Sequence, residues 1–200
     1  YILASKIDKY IDIAEKKGKN LNQAGREQGI RRLMSINLLK RLESSVYSFR
    51  LTLDRIKNLI SETIKSIDDF EKSGLDGIEL IDLSEASDFD FDDQNTDLFA
   101  VGKKVRINLE DMDHMSWRHE LSQDADNLEL LSLMIADITP QYDTKLQTLY
   151  ELLDQKIKSP INDNNKKVLI FTAFSDTAEY LYSNVSKYLK SRYDIDSAMI

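Results

Sequence analysis

The chain has no cysteine, and only two histidines, His114 and His119, among its 200 residues. Without cysteine, disulfides, thiol nucleophiles and zinc sites with cysteine ligands are excluded. The histidines are five positions apart, which separates them by about 140° around a helix and prevents joint chelation of one ion. We therefore expect surface or capping roles for both histidines and no metal site.

Long apolar runs are also missing. No stretch of eighteen or more apolar residues occurs, and the first residues lack the basic, apolar and small-residue order of a secretory signal. This pattern predicts a cytoplasmic protein without a membrane partner. The sequence starts within a helical pattern at Tyr1 and stops within an apolar run at Ile200, so we expect a piece of a longer polypeptide.

The motifs of nucleotide and hydrolytic chemistry are absent as well. The Gly-Lys pairs at 18–19 and 102–103 lack both the upstream glycine and the following Ser or Thr of a phosphate-binding GxxxxGK[ST] loop. No Walker B acidic pair, GxSxG elbow, HExxH helix or GxGxxG turn is found. The sequence predicts that this chain by itself is not an enzyme and holds no cofactor.

The net charge of −8 is concentrated in one segment. Nine Asp or Glu residues and no Lys or Arg lie between 75 and 101, which leaves the rest of the chain at +1. In contrast, 26–57 holds eight basic residues against three acidic ones, a net +5 that suits phosphate or an acidic partner. A solvated helix face is the more common explanation of such a pattern.

The acidic segment resembles a calcium loop only at its start. Asp88, Asp90 and Asp92 have the spacing of the first three ligands, but Asp93 stands where glycine is needed and Phe99 where a bidentate Glu is needed. We expect a mobile, solvated linker over 74–102 and no metal ion.

Apolar spacing predicts helices through most of the chain. One helix is expected before Gly18, and a second, roughly 60 Å long at ~1.5 Å per residue, from 31 to 72. The second carries a heptad-like seam: Leu42, Val46, Phe49, Leu53, Ile56 and Ile60. A helix of this length needs a partner, either the helices of 108–157 or a second copy.

Two more helices are predicted between 103 and 160. The first contains Trp117 as a packing anchor and stops at Thr139-Pro140. The second starts at Asp143 and ends before Ser159-Pro160.

The last forty residues have a different pattern. The β-branched and aromatic run 168–171 is typical of a buried strand, Ser175 or Asp176 is placed to cap a following helix, and 195–200 predicts another strand. A strand, helix, strand unit implies a parallel sheet with a right-handed crossover. The expected organisation is therefore a helical region at 1–73, the linker at 74–102, a helical region at 103–160, and an α/β end at 161–200.

Two of these segments carry a resemblance. DTKLQTLYELLDQKI followed by KKVLIFTAFSDTAEYLYSNV resembles the start of the C-terminal lobe of Swi/Snf-like superfamily II helicases. In that family a helix with a Lys and Leu repeat precedes a VLIF[ST]xF motif. The matching positions are Asp143, Lys145, Leu146, Leu149, Val168, Leu169, Ile170, Phe171, Thr172 and Phe174. The segment 38–56 is similar to the helix that follows the first lobe in bacterial members.

The resemblance implies a non-catalytic segment linking two RecA-like lobes of an ATP-dependent helicase or translocase. The implied fold is mainly α with an α/β end: a long, coiled-coil-like helical bundle followed by the beginning of a RecA-like parallel β-α-β unit. ATP and Mg²⁺ would be bound elsewhere in the parent protein. Its expected partners are DNA, the missing lobe and, for this segment, a second copy. The nucleic-acid-binding candidates are Thr172, Phe174 and Ser175, for which packing and capping are the alternative.

A different interpretation is a helical dimerisation or protein-interaction module attached to an unrelated α/β domain. A phosphate loop in the polypeptide upstream of Tyr1 would favour the helicase over this module.

Overall fold

The computed structural model describes residues 23–73, 80–81, 107–109 and 112–200. Within these ranges the chain forms five helices and one short antiparallel ladder. In chain order the elements are α1 (Gln23–Ser44), α2 (Val46–Ser73), β1 (Leu80–Ile81), β2 (Ile107–Asn108), α3 (His114–Ile135), α4 (Thr144–Lys158) and α5 (Ser175–Tyr193). The ladder pairs Leu80 with Asn108 and Ile81 with Ile107.

The predicted single helix over 31–72 is wrong at one position, because it is divided at Ser45 into α1 and α2. The Ser45 hydroxyl accepts a hydrogen bond from the backbone N–H of Ser48 at 2.9 Å, which is the geometry of a helix N-cap. Serine competes well for this role because its short hydroxyl reaches the N–H three residues ahead. Each half is therefore a helix with its own terminus.

A first hydrophobic core lies between α2 and α3. Its buried members are Ile56, Ile60, Ile67, Phe70, Leu109, Met112, Trp117 and Leu121. The expected packing of the seam against a helix of the 108–157 region is confirmed for Ile56 and Ile60, and Trp117 is buried as predicted. Leu42, at the start of the seam, is instead exposed.

A second core lies between α4 and α5. Its buried members are Leu146, Leu153, Ile157, Tyr180, Val185 and Leu189. The predicted start of α4 is confirmed, since the Asp143 carboxylate accepts a hydrogen bond from the backbone N–H of Leu146 at 3.0 Å. The two cores share no buried residue.

The predicted α/β end is wrong. Residues 168–171 form no strand, and their side chains are 43%, 80%, 44% and 88% exposed. Residues 195–200 form no strand either. A strand persists only where its backbone N–H and C=O groups pair with a neighbour, and among the described residues no strand lies beside 168–171. The described fold is mainly α, without a RecA-like β-α-β unit.

Several expectations fall on other parts of the chain. The helix before Gly18, the calcium-like spacing of Asp88, Asp90 and Asp92, and the mobility of the acidic linker lie outside the described residues. Of the described helices, none combines the length and the apolar character needed to cross a membrane.

Candidate functional site

Four helix ends meet at one place in the molecule. The C-terminal end of α1, the first three turns of α2 and the first turn of α5 contribute to the contacts of the Asp176 carboxylate, and α4 reaches the end of α1 through Lys145. We call this place the Asp176 junction and define it by Arg41, Ser44, Arg55, Lys145, Asp176 and Thr177. It joins the α4–α5 pair to α1 and α2.

Asp176 binds two arginines. Nη1 of Arg41 lies 2.9 Å from Oδ2 of Asp176, and Arg55 contacts both carboxylate oxygens, at 3.1 and 3.3 Å. The Asp176 side chain is 9% exposed, so its charge has lost most of its water and depends on these partners. Arg41 also donates to the Ser48 hydroxyl at 3.2 Å. The junction therefore fixes α5 against both α1 and α2.

Aromatic and hydroxyl contacts surround this ion pair. The guanidinium of Arg41 lies 4.6 Å from the centre of the Phe174 ring, a cation–π geometry. The hydroxyls of Ser44 and Thr177 are 2.9 Å apart. The N-cap residue of α5 is Phe174, which makes no side-chain cap, so the predicted capping by Ser175 or Asp176 is wrong. The tertiary partners Arg41 and Arg55 take the Asp176 carboxylate instead.

Lys145 connects α4 to α1. Its Nζ donates to the main-chain carbonyls of Glu43 and Ser44, the latter at 3.2 Å. These are two of the terminal carbonyls of α1 that have no partner within the helix, and the helix dipole makes this end negative. Lys145 thus caps a helix that is a hundred residues away in sequence, and its charge is used inside the chain.

A pair of tyrosines completes the attachment. The Tyr180 hydroxyl donates to Oδ2 of Asp143 at 2.9 Å, and its ring stacks on Tyr47 with centroids 4.9 Å apart. Burial and the neighbouring Asp143 carboxylate raise the pKa of Tyr180 well above its ordinary range. The phenol is held as a hydrogen-bond donor to the Asp143 carboxylate.

A groove of about 1030 Å³ opens beside the junction. Its walls come from α1, α4 and the loop before α5, and include Lys40, Lys145, Leu149, Leu152, Ile170 and Phe171. Thr172 and Phe174 both line it, so the structure brings these two predicted residues together, whereas Ser175 is not part of its lining. Thr172 is exposed, and its hydroxyl accepts from the Phe174 N–H at 3.3 Å. Phe174 is buried against Arg41.

Half of the basic residues in the stretch 26–57 make contacts within the chain. Arg41 and Arg55 bind Asp176, and Lys57 pairs with Glu129. Arg50 donates to the carbonyls of Ile135 and Ile138, at 2.7 and 3.1 Å, at the end of α3. Among the side chains of this stretch that the structure describes, the exposed cations are Arg31, Arg32 and Lys40, all on α1.

His119 is exposed, as expected, whereas His114 is partly buried and makes tertiary contacts instead of a surface or capping role. Nδ1 of His114 lies 3.2 Å from the Leu109 carbonyl and 3.3 Å from the Met112 carbonyl, and Nε2 pairs with Glu71. His119 accepts from Gln123 at 3.0 Å. Across the part of the chain that the structure describes, no three His, Asp or Glu side chains converge as metal ligands.

Sequence reasoning missed Asp176 and its two arginines as the organising contact. The sequence carries no local signal for this contact, because Arg41 and Arg55 lie on two different helices, α1 and α2, and Asp176 is more than 120 residues away from both.

No protein-family model, no curated protein and no solved structure matches this chain. Any assignment of function to it rests on its own residues.

Proposed function

We propose that this chain is a non-catalytic helical segment of an ATP-dependent nucleic-acid translocase of the Swi/Snf-like group. In this role it joins and braces the catalytic parts, while ATP and Mg²⁺ are bound elsewhere in the same polypeptide. DNA is the proposed nucleic acid.

One observation carries the proposal: residues that make the sequence resemblance meet in a single place. Asp143 caps α4 and binds Tyr180, Lys145 caps α1, and Phe174 packs under Arg41. Asp143, Lys145 and Phe174 lie no more than 31 positions apart. They belong to the helix and the VLIF[ST]xF-like motif on which the resemblance to the family rests. A brace needs fixed contacts between helices, and these residues provide them.

The proposed contact with DNA lies at the mouth of the groove. Phe171 is 88% exposed there, Thr172 is exposed next to it, and Lys40 is an exposed residue of the lining of the same groove. An exposed aromatic ring offers a stacking surface for a base, and a lysine and a hydroxyl suit phosphate oxygens. Phe174 and Ser175 have the lesser role of holding this loop, since Phe174 is buried.

The first experiment measures ATP turnover by the full polypeptide with and without duplex DNA. We expect DNA to stimulate turnover, and we expect Thr172→Ala and Phe171→Ala to reduce the stimulation while the DNA-free rate stays unchanged. Thr148→Ala is the matched control, because Thr148 is an exposed threonine of the same groove whose hydroxyl bonds only within α4. A full polypeptide without ATP turnover would overturn the proposal.

The second experiment measures the salt dependence of DNA binding. Replacing a lysine that contacts one phosphate lowers the slope of log K against log salt by about 0.9. We expect this change for Lys40→Ala and no change for Lys65→Ala, an exposed lysine on α2. Equal slopes for the two variants would remove Lys40 from the DNA contact.

A helical protein-interaction module is the second candidate function. It is favoured by the exposed apolar run 168–171, since contiguous exposed apolar residues mark protein contacts. DNA-independent binding of a protein partner that is lost in Phe171→Asp, together with no effect of DNA on ATP turnover, would favour this module over the translocase segment.

A further inference from the structure

The outer faces of α1 and α3 carry complementary surfaces. On α1, the side chains of Ile36, Leu39 and Leu42 are 40%, 65% and 39% exposed. At about 100° per residue, these three positions and the exposed Arg31, Arg32 and Lys40 occupy one half of the helix circumference. We call this surface the basic stripe.

The outer face of α3 has the opposite charge. Leu130, Leu133 and Met134 are 58%, 63% and 70% exposed. Asp126 and Glu129 are exposed on the same side of α3, and Asp137 is exposed in the turn that follows the end of the helix at Ile135. No Lys or Arg occurs from 119 to 144. We call this surface the acidic stripe.

We propose that the basic stripe of one chain docks on the acidic stripe of a second copy of the same chain. Each stripe exposes three large apolar side chains in adjacent turns, and apolar surface of this kind on two helices is buried when they pack. Opposite charges at the borders select this pairing over basic-on-basic or acidic-on-acidic contacts, in which like charges meet. The inference does not depend on the translocase proposal.

The spacing of the two stripes gives the contact a register. With the helices antiparallel, Leu39 opposite Leu130 brings Ile36 opposite Leu133. It also brings Arg32 to the end of α3 at Ile135, where Asp137 lies in the turn that follows. The same register places Lys40 opposite Glu129, which also pairs with Lys57 of its own chain. It also places Glu43 opposite Asp126, which is one unfavourable pair. Antiparallel packing additionally aligns the helix dipoles favourably.

This is a contact between two different surfaces, so its geometry has a consequence for assembly. Two copies that exchange both contacts form a closed dimer, whereas a single contact per pair continues head to tail. In both arrangements, every chain uses its basic stripe in one contact and its acidic stripe in another. A variant that loses one stripe therefore still offers the other.

The test uses sedimentation velocity on the 200-residue chain and two single variants. Leu39→Asp disables the basic stripe, and Leu130→Lys disables the acidic stripe. Both residues are exposed, so we expect both variants to keep the helical content of the wild type by circular dichroism. We expect the wild type to associate with increasing concentration, each variant alone to remain monomeric, and an equimolar mixture to associate again. In the mixture, the carboxylate introduced by the first substitution faces the ammonium group introduced by the second, so the two changes complement each other.

Charge variants measure the electrostatic part. Arg32→Glu should weaken association at least tenfold, and Arg32→Glu combined with Asp137→Arg should restore most of it. Asp126→Lys should strengthen association, because it converts the one unfavourable pair into a favourable one. Leu152→Asp, in the groove and outside both stripes, is the control and should associate like the wild type.

Three results would overturn the proposal. A wild type that stays monomeric at all concentrations would show that the two stripes do not bind each other between copies of this chain. Undiminished association of either single variant would place the contact elsewhere. Folded variants whose mixture stays monomeric would exclude contact between the basic and the acidic stripe.

Discussion

The interface between α2 and α3 and the attachment of α4–α5 to the rest of the molecule are built from different chemistry. The first buries apolar side chains such as Ile67, Phe70 and Trp117. The second consists of an ion-pair cluster around Asp176, a lysine on helix-end carbonyls and a pair of stacked tyrosines. Apolar burial is non-directional, whereas charges and hydrogen bonds require fixed distances and angles.

This difference assigns different tasks to the two regions. The α2–α3 core supplies stability in proportion to the area it buries. The Asp176 junction adds less net stability, because the cost of removing three charged groups from water offsets their attraction. Its contribution is orientation: with Asp176 held by both Arg41 and Arg55, α5 has one position relative to α1 and α2.

The largest effect is expected from opening the apolar core with Phe70→Ala. Phe70 is 3% exposed and meets the His114 ring edge-on at 5.3 Å. Truncation of a buried Phe removes transfer free energy and leaves a cavity, which costs about 3 to 5 kcal/mol. Urea denaturation monitored by circular dichroism measures the change, with the exposed Tyr142→Ala as the control. Equal losses in the two variants would contradict the central role of this core.

The next effect is expected from Asp176→Asn. The substitution keeps the shape of the side chain and leaves two guanidinium groups without their counter-ion, which for a buried pair costs about 3 kcal/mol. Because Arg55 is 30% exposed, water relieves part of this cost. Urea denaturation again measures the loss, and hydrogen exchange should show it first in the opening turn of α5. The control is Asp69→Asn, an exposed carboxylate on α2.

A double-mutant cycle sharpens the comparison of the two regions. Arg41→Met and Asp176→Asn together should cost less than the sum of the single changes, because the pair contributes only when both partners are present. Phe70→Ala and Asp176→Asn lie in separate regions and should be additive within about 0.5 kcal/mol. Strong coupling between these two positions would show that the core and the junction are one unit.

Local patterns predicted the helices well. The α4 helix was predicted from Asp143 because its cap and its apolar face are both encoded within fifteen residues, and both are observed. Trp117 was expected in the core because a large aromatic residue on an amphipathic helix is rarely left in water. The packing of Ile56 and Ile60 against α3 was predicted from the heptad-like seam.

Properties that depend on distant partners were not predictable. Residues 168–171 have strand composition, but a strand also needs a neighbouring backbone, which composition does not reveal. Asp176 suited a helix cap locally, and two arginines more than 120 residues away took its carboxylate instead. The net charge of 26–57 suggested phosphate binding, although half of its basic side chains serve contacts within the chain.

A smaller effect is expected from Asp143→Ala at the edge of the junction. The substitution removes the N-cap of α4, which costs about 1 kcal/mol, and leaves the buried Tyr180 hydroxyl without its acceptor, which costs about 1 kcal/mol more. Asp143→Asn keeps a capping oxygen and should cost less than half as much. Thermal denaturation of the two variants measures the difference. Equal stabilities would show that the Asp143 cap does not contribute to the stability of α4.

The smallest effect concerns the pH dependence of the α2–α3 region, through His114. Burial lowers the pKa of this imidazole, but the Glu71 carboxylate and the carbonyls of Met112 and Leu109 outweigh it, so the pKa is raised above its ordinary value of 6.5. Because the folded state binds the proton more tightly than the unfolded state, protonation stabilises the fold. This contribution is complete below pH 6.5 and is lost as the pH rises through the raised pKa of the folded state.

Urea denaturation at several pH values from about 5.5 to 8.5 tests this linkage. The wild type should lose stability relative to His114→Gln as the pH rises, and Glu71→Gln should flatten the wild-type dependence because it removes the carboxylate that favours the charged ring. His119→Gln is the matched control, since that ring contacts the uncharged Gln123 amide. A wild type whose stability relative to His114→Gln rises with pH would mean that burial, and not Glu71, determines the protonation of His114.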